Sequence, residues 1–141
     1  MKQLKDGGRK FMLIDEYLVE FRLIDGKLIE WAKSDEIFIP VTKCYPINYT
    51  NYFIVKSEGY FSLYKSENGL IISCWDNECD LNNYINDIED VIFEHGKNTI
   101  VNIGGFISKI NPLDLSLTRV NTQRVGQFNM SQNMKYPMLI I

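Results

Sequence analysis

No Lys or Arg occurs between Ser66 and Gly96, although Glu67, Asp76, Glu78, Asp80, Asp87, Glu89, Asp90 and Glu94 all fall there. Histidine is nearly as scarce: His95 is the single one, so a multi-histidine metal site and a two-histidine acid/base pair are both excluded. Three cysteines, Cys44, Cys74 and Cys79, make an odd and irregular set, which excludes the dense pairing of a small secreted scaffold and leaves a zinc site short of nearby ligands. No apolar run approaches the roughly 20 residues that cross a bilayer as a helix. The run Phe11 to Ile14 behind Lys2, Lys5, Arg9 and Lys10 is too short for a signal-peptide core and stops at Asp15-Glu16. The expectation is a cytoplasmic protein that binds no membrane.

Phosphate-binding and metal motifs are also missing. Gly104-Gly105 lacks the further glycines and the Lys-Ser/Thr of a P-loop. Asp76, Glu78 and Asp80 alternate like the start of a calcium loop, but Leu81 stands where glycine is needed. Nothing beside His95 in sequence marks a nucleophile for it, and its simplest role is a partner for a helix C-terminus. These absences predict a protein that is not an enzyme and holds no cofactor and no metal.

What is present is enough for one compact domain over residues 1–141, since 45% of the side chains are hydrophobic. The net charge of -3 conceals its distribution. Up to Lys65 the signs nearly balance, and from Lys97 to Ile141 five basic residues face the single Asp114. Scattered Lys and Arg argue against a nucleic-acid partner, because phosphate contacts need a concentrated basic surface. A localised acidic block steers a basic protein instead.

Hairpins dominate the predicted elements. Tyr17, Val19, Phe21 and Leu23 alternate up to Asp25-Gly26, and a second run follows, so Leu18 to Trp31 reads as a hairpin about a type I′ turn. Phe11 to Tyr17 suits a strand or a helical face equally. Tyr52 to Lys56, Tyr60 to Lys65 and Leu70 to Trp75 form a meander, and Ile37 to Val41 a short strand that Pro40 confines to an edge or an end. Pro46 marks a loop. Thr99 to Ile103 and Phe106 to Ile110 form a further hairpin, followed by strands at Leu115 to Val120, Val125 to Phe128 and Met138 to Ile141. Of the tyrosines, Tyr45, Tyr49, Tyr52, Tyr60 and Tyr64 are expected mainly as strand residues, with a recognition face as the alternative.

One helix is predicted, Leu81 to His95, with Leu81, Tyr84, Ile85, Ile88, Val91 and Ile92 on one face, Asp80 as N-cap and Gly96 after its end. Asp87, Asp90 and Glu94 would then form an outward stripe, with Glu89 on its shoulder and Phe93 as an exposed aromatic among them. Like charges three and four apart, and anions near the C-terminal turn, both oppose such a helix. The predicted fold class is α+β: a twisted, mostly antiparallel sheet packed on this helix, with a partly closed barrel as the alternative.

The function these features predict is protein binding. In size, acidity and lack of catalytic motif the chain resembles the immunity proteins that neutralise bacterial toxins such as nucleases, with Asp87, Glu89, Asp90, Phe93 and Glu94 as the contact residues for a basic partner. Two other readings stand beside it: a small-ligand binder or enzyme using a sheet pocket, and a phage-derived structural or assembly subunit.

Overall fold

The computed structural model describes residues 8–38 and 40–120. The chain begins as the strand meander its turns dictate. β1 (Lys10–Ile14), β2 (Tyr17–Ile24) and β3 (Lys27–Lys33) are joined by two tight turns in which Asp15, Glu16, Asp25 and Gly26 all have positive φ. Only turns of that hand match the right-handed twist of the strands they connect, and Asp and Gly tolerate it best. β1 pairs with β2 and β2 with β3, both antiparallel.

The second unit is built the same way. β4 (Val41–Pro46), β5 (Tyr52–Ser57), β6 (Tyr60–Glu67) and β7 (Leu70–Ser73) pair in sequence, with Asn68 and Gly69 supplying the positive φ of the last turn. The two units join where β3 meets β7 in parallel, at Lys33 and Leu70. The resulting seven-stranded sheet, in the order β1-β2-β3-β7-β6-β5-β4, curls into a nearly closed barrel. The strand predicted over Ile37 to Val41 is displaced: β4 begins at Val41, and Pro40, which has no amide proton to give a ladder, stands just before it. β4 is an edge strand, and Pro46 closes it.

After β7 the chain makes a four-residue helix α1 (Asp80–Asn83), a single 3-10 turn over Ile85–Asp87, and then β8 (Ile88–Ile92). β9 (Ile100–Ile103), β10 (Phe106–Ile110) and β11 (Leu117–Arg119) complete a second sheet in the order β11-β10-β9-β8. The hairpin about Gly104-Gly105 is as predicted, and both glycines have positive φ. The strands predicted over Val125 to Phe128 and Met138 to Ile141 lie outside the described residues.

The helix predicted over Leu81 to His95 is therefore corrected. Only its first turn is helical, and Asp80 is the first helical residue, with Cys79 at the N-cap position. The segment is poor in strong helix formers: Asn82, Asn83, Asn86, Asp87 and Asp90 accompany β-branched Ile85, Ile88, Val91 and Ile92. The unfavourable charges of the hypothetical helix are removed by its not forming. As a strand, Ile88 and Val91 both reach the interior because a bulge shifts the register between Ile88 and Asp90 against β9. The fold is mostly β, with a minimal helix.

Two apolar cores result. Inside the curl of the large sheet lie Leu18, Ala32, Phe53, Val55 and Ile71, with Phe11, Phe38 and Tyr64 packed against them. Between the outer face of β4 to β7 and the second sheet lie Tyr45, Ile47, Ile54, Phe61, Leu63, Leu81, Ile88, Val91, Val101 and Ile110. β5 and β6 thus contribute to both cores, through alternate residues.

Candidate functional site

The five residues predicted as contacts are not brought together on a helical stripe. Asp87 ends the 3-10 turn, while Glu89 and Asp90 are consecutive on the bulged edge strand β8, and Glu94 follows in the loop before β9. All four carboxylates are exposed. Phe93 is not the exposed anchor predicted: it is partly buried against the core between the sheets and makes an edge-on contact with His95, ring centroids 5.0 Å apart.

The most exposed aromatic of the acidic block is Trp75, with 80% of its surface open, while Tyr84 is about half exposed. It leaves β7 in a loop whose shape is set by Asn82 of α1. The Asn82 Nδ2 donates to the carbonyls of Cys74, Trp75 and Asn77 at 2.7, 3.2 and 2.8 Å, so the turn that carries the indole is fixed by its backbone. Asp76 and Glu78 follow the indole in sequence, and both are exposed. The missed signal was the polar run Asp76-Asn77-Glu78 directly after Trp75, which ends the strand before its last aromatic can be paired.

Few cations balance this stretch. Among the described residues, Glu94 meets Lys97 at 3.5 Å and Glu67 meets Lys65 at 2.8 Å, whereas Asp76, Glu78, Asp80, Asp87, Glu89 and Asp90 make no ion pair. Arg119 does not reach across them: its guanidinium stacks 4.0 Å from the Phe106 ring centroid. Asp80 and Asp90 are used locally, accepting from the backbone amides of Leu117 (3.2 Å) and Val91 (2.9 Å). Of the basic residues of the C-terminal third that could fold across this stretch, Arg124 and Lys135 lie outside the described residues.

The loop after β4 braces the far end of β8. Asn48 is buried and its Nδ2 donates to the carbonyls of Glu94 (2.7 Å) and Lys97 (2.5 Å), while Tyr49, at φ 71°, donates its hydroxyl to the Gly96 carbonyl. Gly96 itself has positive φ, as predicted for it, but in the β8–β9 connection.

The other candidate groups are dispersed over the fold. The tyrosines are divided between locations: Tyr45 is buried between the sheets, Tyr64 packs inside the curl, and Tyr49 and Tyr60 are exposed. The cysteines are free, and burial pushes the thiols of Cys44 and Cys74 up to about 12 and about 11. Such thiols are poor nucleophiles at neutral pH. Neither His95 nor the buried Glu20 lines the cavities at residues 34–38, in the seam beside β1, or under β11.

No helix among the described residues is long and apolar enough to cross a membrane. Compared with protein-family models, curated proteins and solved structures, the chain matches none.

Proposed function

We propose that the chain is a protein-binding inhibitor, an immunity protein that neutralises a cationic toxin such as a nuclease by covering its basic surface. The observation that supports this reading is Trp75, a largely exposed indole on a backbone-fixed turn, followed by Asp76 and Glu78, which make no ion pair among the described residues. Large exposed aromatics concentrate binding energy at interfaces, and surrounding charge sets the speed and direction of approach. A nuclease must present Lys and Arg to hold phosphate, so Asp76, Glu78, Asp87, Glu89, Asp90 and Glu94 would compete for that same surface. This reading places the protein in the cytoplasm, and three free cysteines suit a reducing compartment.

The test is capture of basic proteins from a native lysate by the wild type, by Trp75→Ala, and by a combined Asp87→Asn, Asp90→Asn, Glu94→Gln variant. The expected result is one basic protein held by the wild type. Trp75→Ala should weaken it by about 30-fold, the loss of roughly 2 kcal/mol typical of an interface anchor. The neutralised variant should associate more slowly, with a flatter salt dependence. An identical set of retained proteins for all three would refute the reading.

A further inference from the structure

β1 and β4 are the two edges of the large sheet, and they border one open seam. A cavity of about 520 Å³ lies in it, lined on one side by Lys10, Phe11 and Leu13 and on the other by Val41, Lys43 and Cys44. We propose that this seam accepts an extended acidic segment of a partner protein as an added strand, with apolar side chains turned inward and carboxylates outward.

Three observations support it. Among the described residues each edge strand pairs on one side only, β1 with β2 and β4 with β5, so each has backbone donors and acceptors facing the gap. Phe11 and Cys44, which line the cavity, also pack against the core inside the curl, so an inward apolar side chain would extend that core. Lys10 and Lys43 are exposed at the two lips, and among the described residues neither makes an ion pair and no carboxylate lines the cavity. Arg9 is also there, but Glu20 already holds it.

Charge selects the occupant. Lysines on an edge strand repel a second copy that would bring the same lysines to the same lips. An acidic strand meets them favourably, and alternation along a strand puts its carboxylates on one side and its apolar groups on the other. Counting strand directions through the sheet, β1 and β4 run antiparallel to each other, so the added strand is parallel to one and antiparallel to its other neighbour. Trp75, Asp76 and Glu78 do not line this cavity, although Phe93, next to Glu94, does, and the cavity's lysines select the opposite charge.

The experiment titrates the full-length protein with a heptapeptide of alternating Glu and Val and with its counterpart of alternating Lys and Val, followed by backbone amide shifts in NMR spectra. Saturable binding of the Glu peptide is expected, with shifts confined to β1 and β4 and affinity about tenfold above that of the Lys peptide. In the Lys10→Glu, Lys43→Glu variant the preference should reverse. Both lysines are exposed, and circular dichroism verifies that the variant is folded. The proposal is overturned if the Glu peptide does not bind in the millimolar range, if both peptides bind equally, if the shifts fall elsewhere, or if the charge swap leaves the preference unchanged.

Discussion

Arg9 and Glu20 form an ion pair inside the curled sheet, Nε to Oε2 at 2.5 Å, with both side chains essentially closed to solvent. Glu20 also accepts from Arg22 Nε at 2.8 Å and from the Ser66 hydroxyl at 2.6 Å, while Arg9 donates to the Tyr52 and Thr50 carbonyls at 2.7 and 3.1 Å. The pair thereby ties β1 and β2 to β6 and to the start of β5. Breaking such a pair leaves a buried charge without its partner, which costs about 3–5 kcal/mol. Glu20→Gln and Arg9→Met should each lower the urea midpoint by a corresponding amount. The Glu20→Gln, Arg9→Met double variant should lose clearly less than the sum, and strict additivity would show that the pair is not coupled.

The same cluster sets acid stability. Burial alone would raise the Glu20 carboxyl, but the hydrogen bonds and charge of Arg9, with those from Arg22 and Ser66, outweigh it and hold the group below its ordinary value. A carboxyl depressed in the folded state takes up its proton first in the unfolded chain, so its contribution is present above the ordinary value near 4.5 and is lost as pH falls through the folded one. Urea unfolding between neutral pH and pH about 3 should show this loss, and it should be absent in Glu20→Gln.

At alkaline pH the sign reverses. The buried thiols of Cys44 and Cys74 stay protonated in the folded state up to about 12 and about 11, while in the unfolded chain they ionise near 9. The unfolded state then binds fewer protons, and stability should decline as pH rises above about 9. Iodoacetamide at pH about 8 should modify Cys44 and Cys74 far more slowly in the native protein than in urea, as read by peptide mass spectrometry. Equal rates in both states would contradict their burial.

Asn48 offers a local test. Its amide nitrogen serves two carbonyls of the β8–β9 loop, while its Oδ1 has no protein partner among the described residues. Asn48→Ala should cost about 1–3 kcal/mol by leaving those carbonyls unmet, and hydrogen exchange should quicken at Lys97, whose amide closes the loop onto Glu94. Asn48→Asp should cost more, because it sets a carboxylate against two carbonyl oxygens.

Trp75→Ala should leave stability within about 0.5 kcal/mol of the wild type, since the indole contributes almost nothing to either core. A large drop in melting temperature would mean that the indole packs in solution, and the anchor reading would then be lost.

Much of this architecture was legible in the chain. Asp25-Gly26 and Gly104-Gly105 prescribe their turns because positive φ is a local constraint that few residues meet, and the strands on either side follow from alternation and β-branching. The burial of Glu20 was not legible. The alternation of Tyr17, Val19, Phe21 and Leu23 suggests that Leu18, Glu20 and Arg22 face water, yet the curl of the sheet encloses Leu18 and Glu20, while Val19 and Leu23 are also buried. A strand does not reveal whether its second face will be covered, because that depends on strands far along the chain.

Residues 81–95 show the same division most clearly. The sequence by itself determined which side chains there are apolar and which are charged, and that Gly96 turns the chain. It did not determine helix or strand, because Ile88 and Val91 stand three apart, a spacing that one helical face and a bulged strand both satisfy. Tertiary structure decided for the strand: β9 offered a free edge, and pairing there buries both residues while spreading carboxylates that a helix would have crowded together.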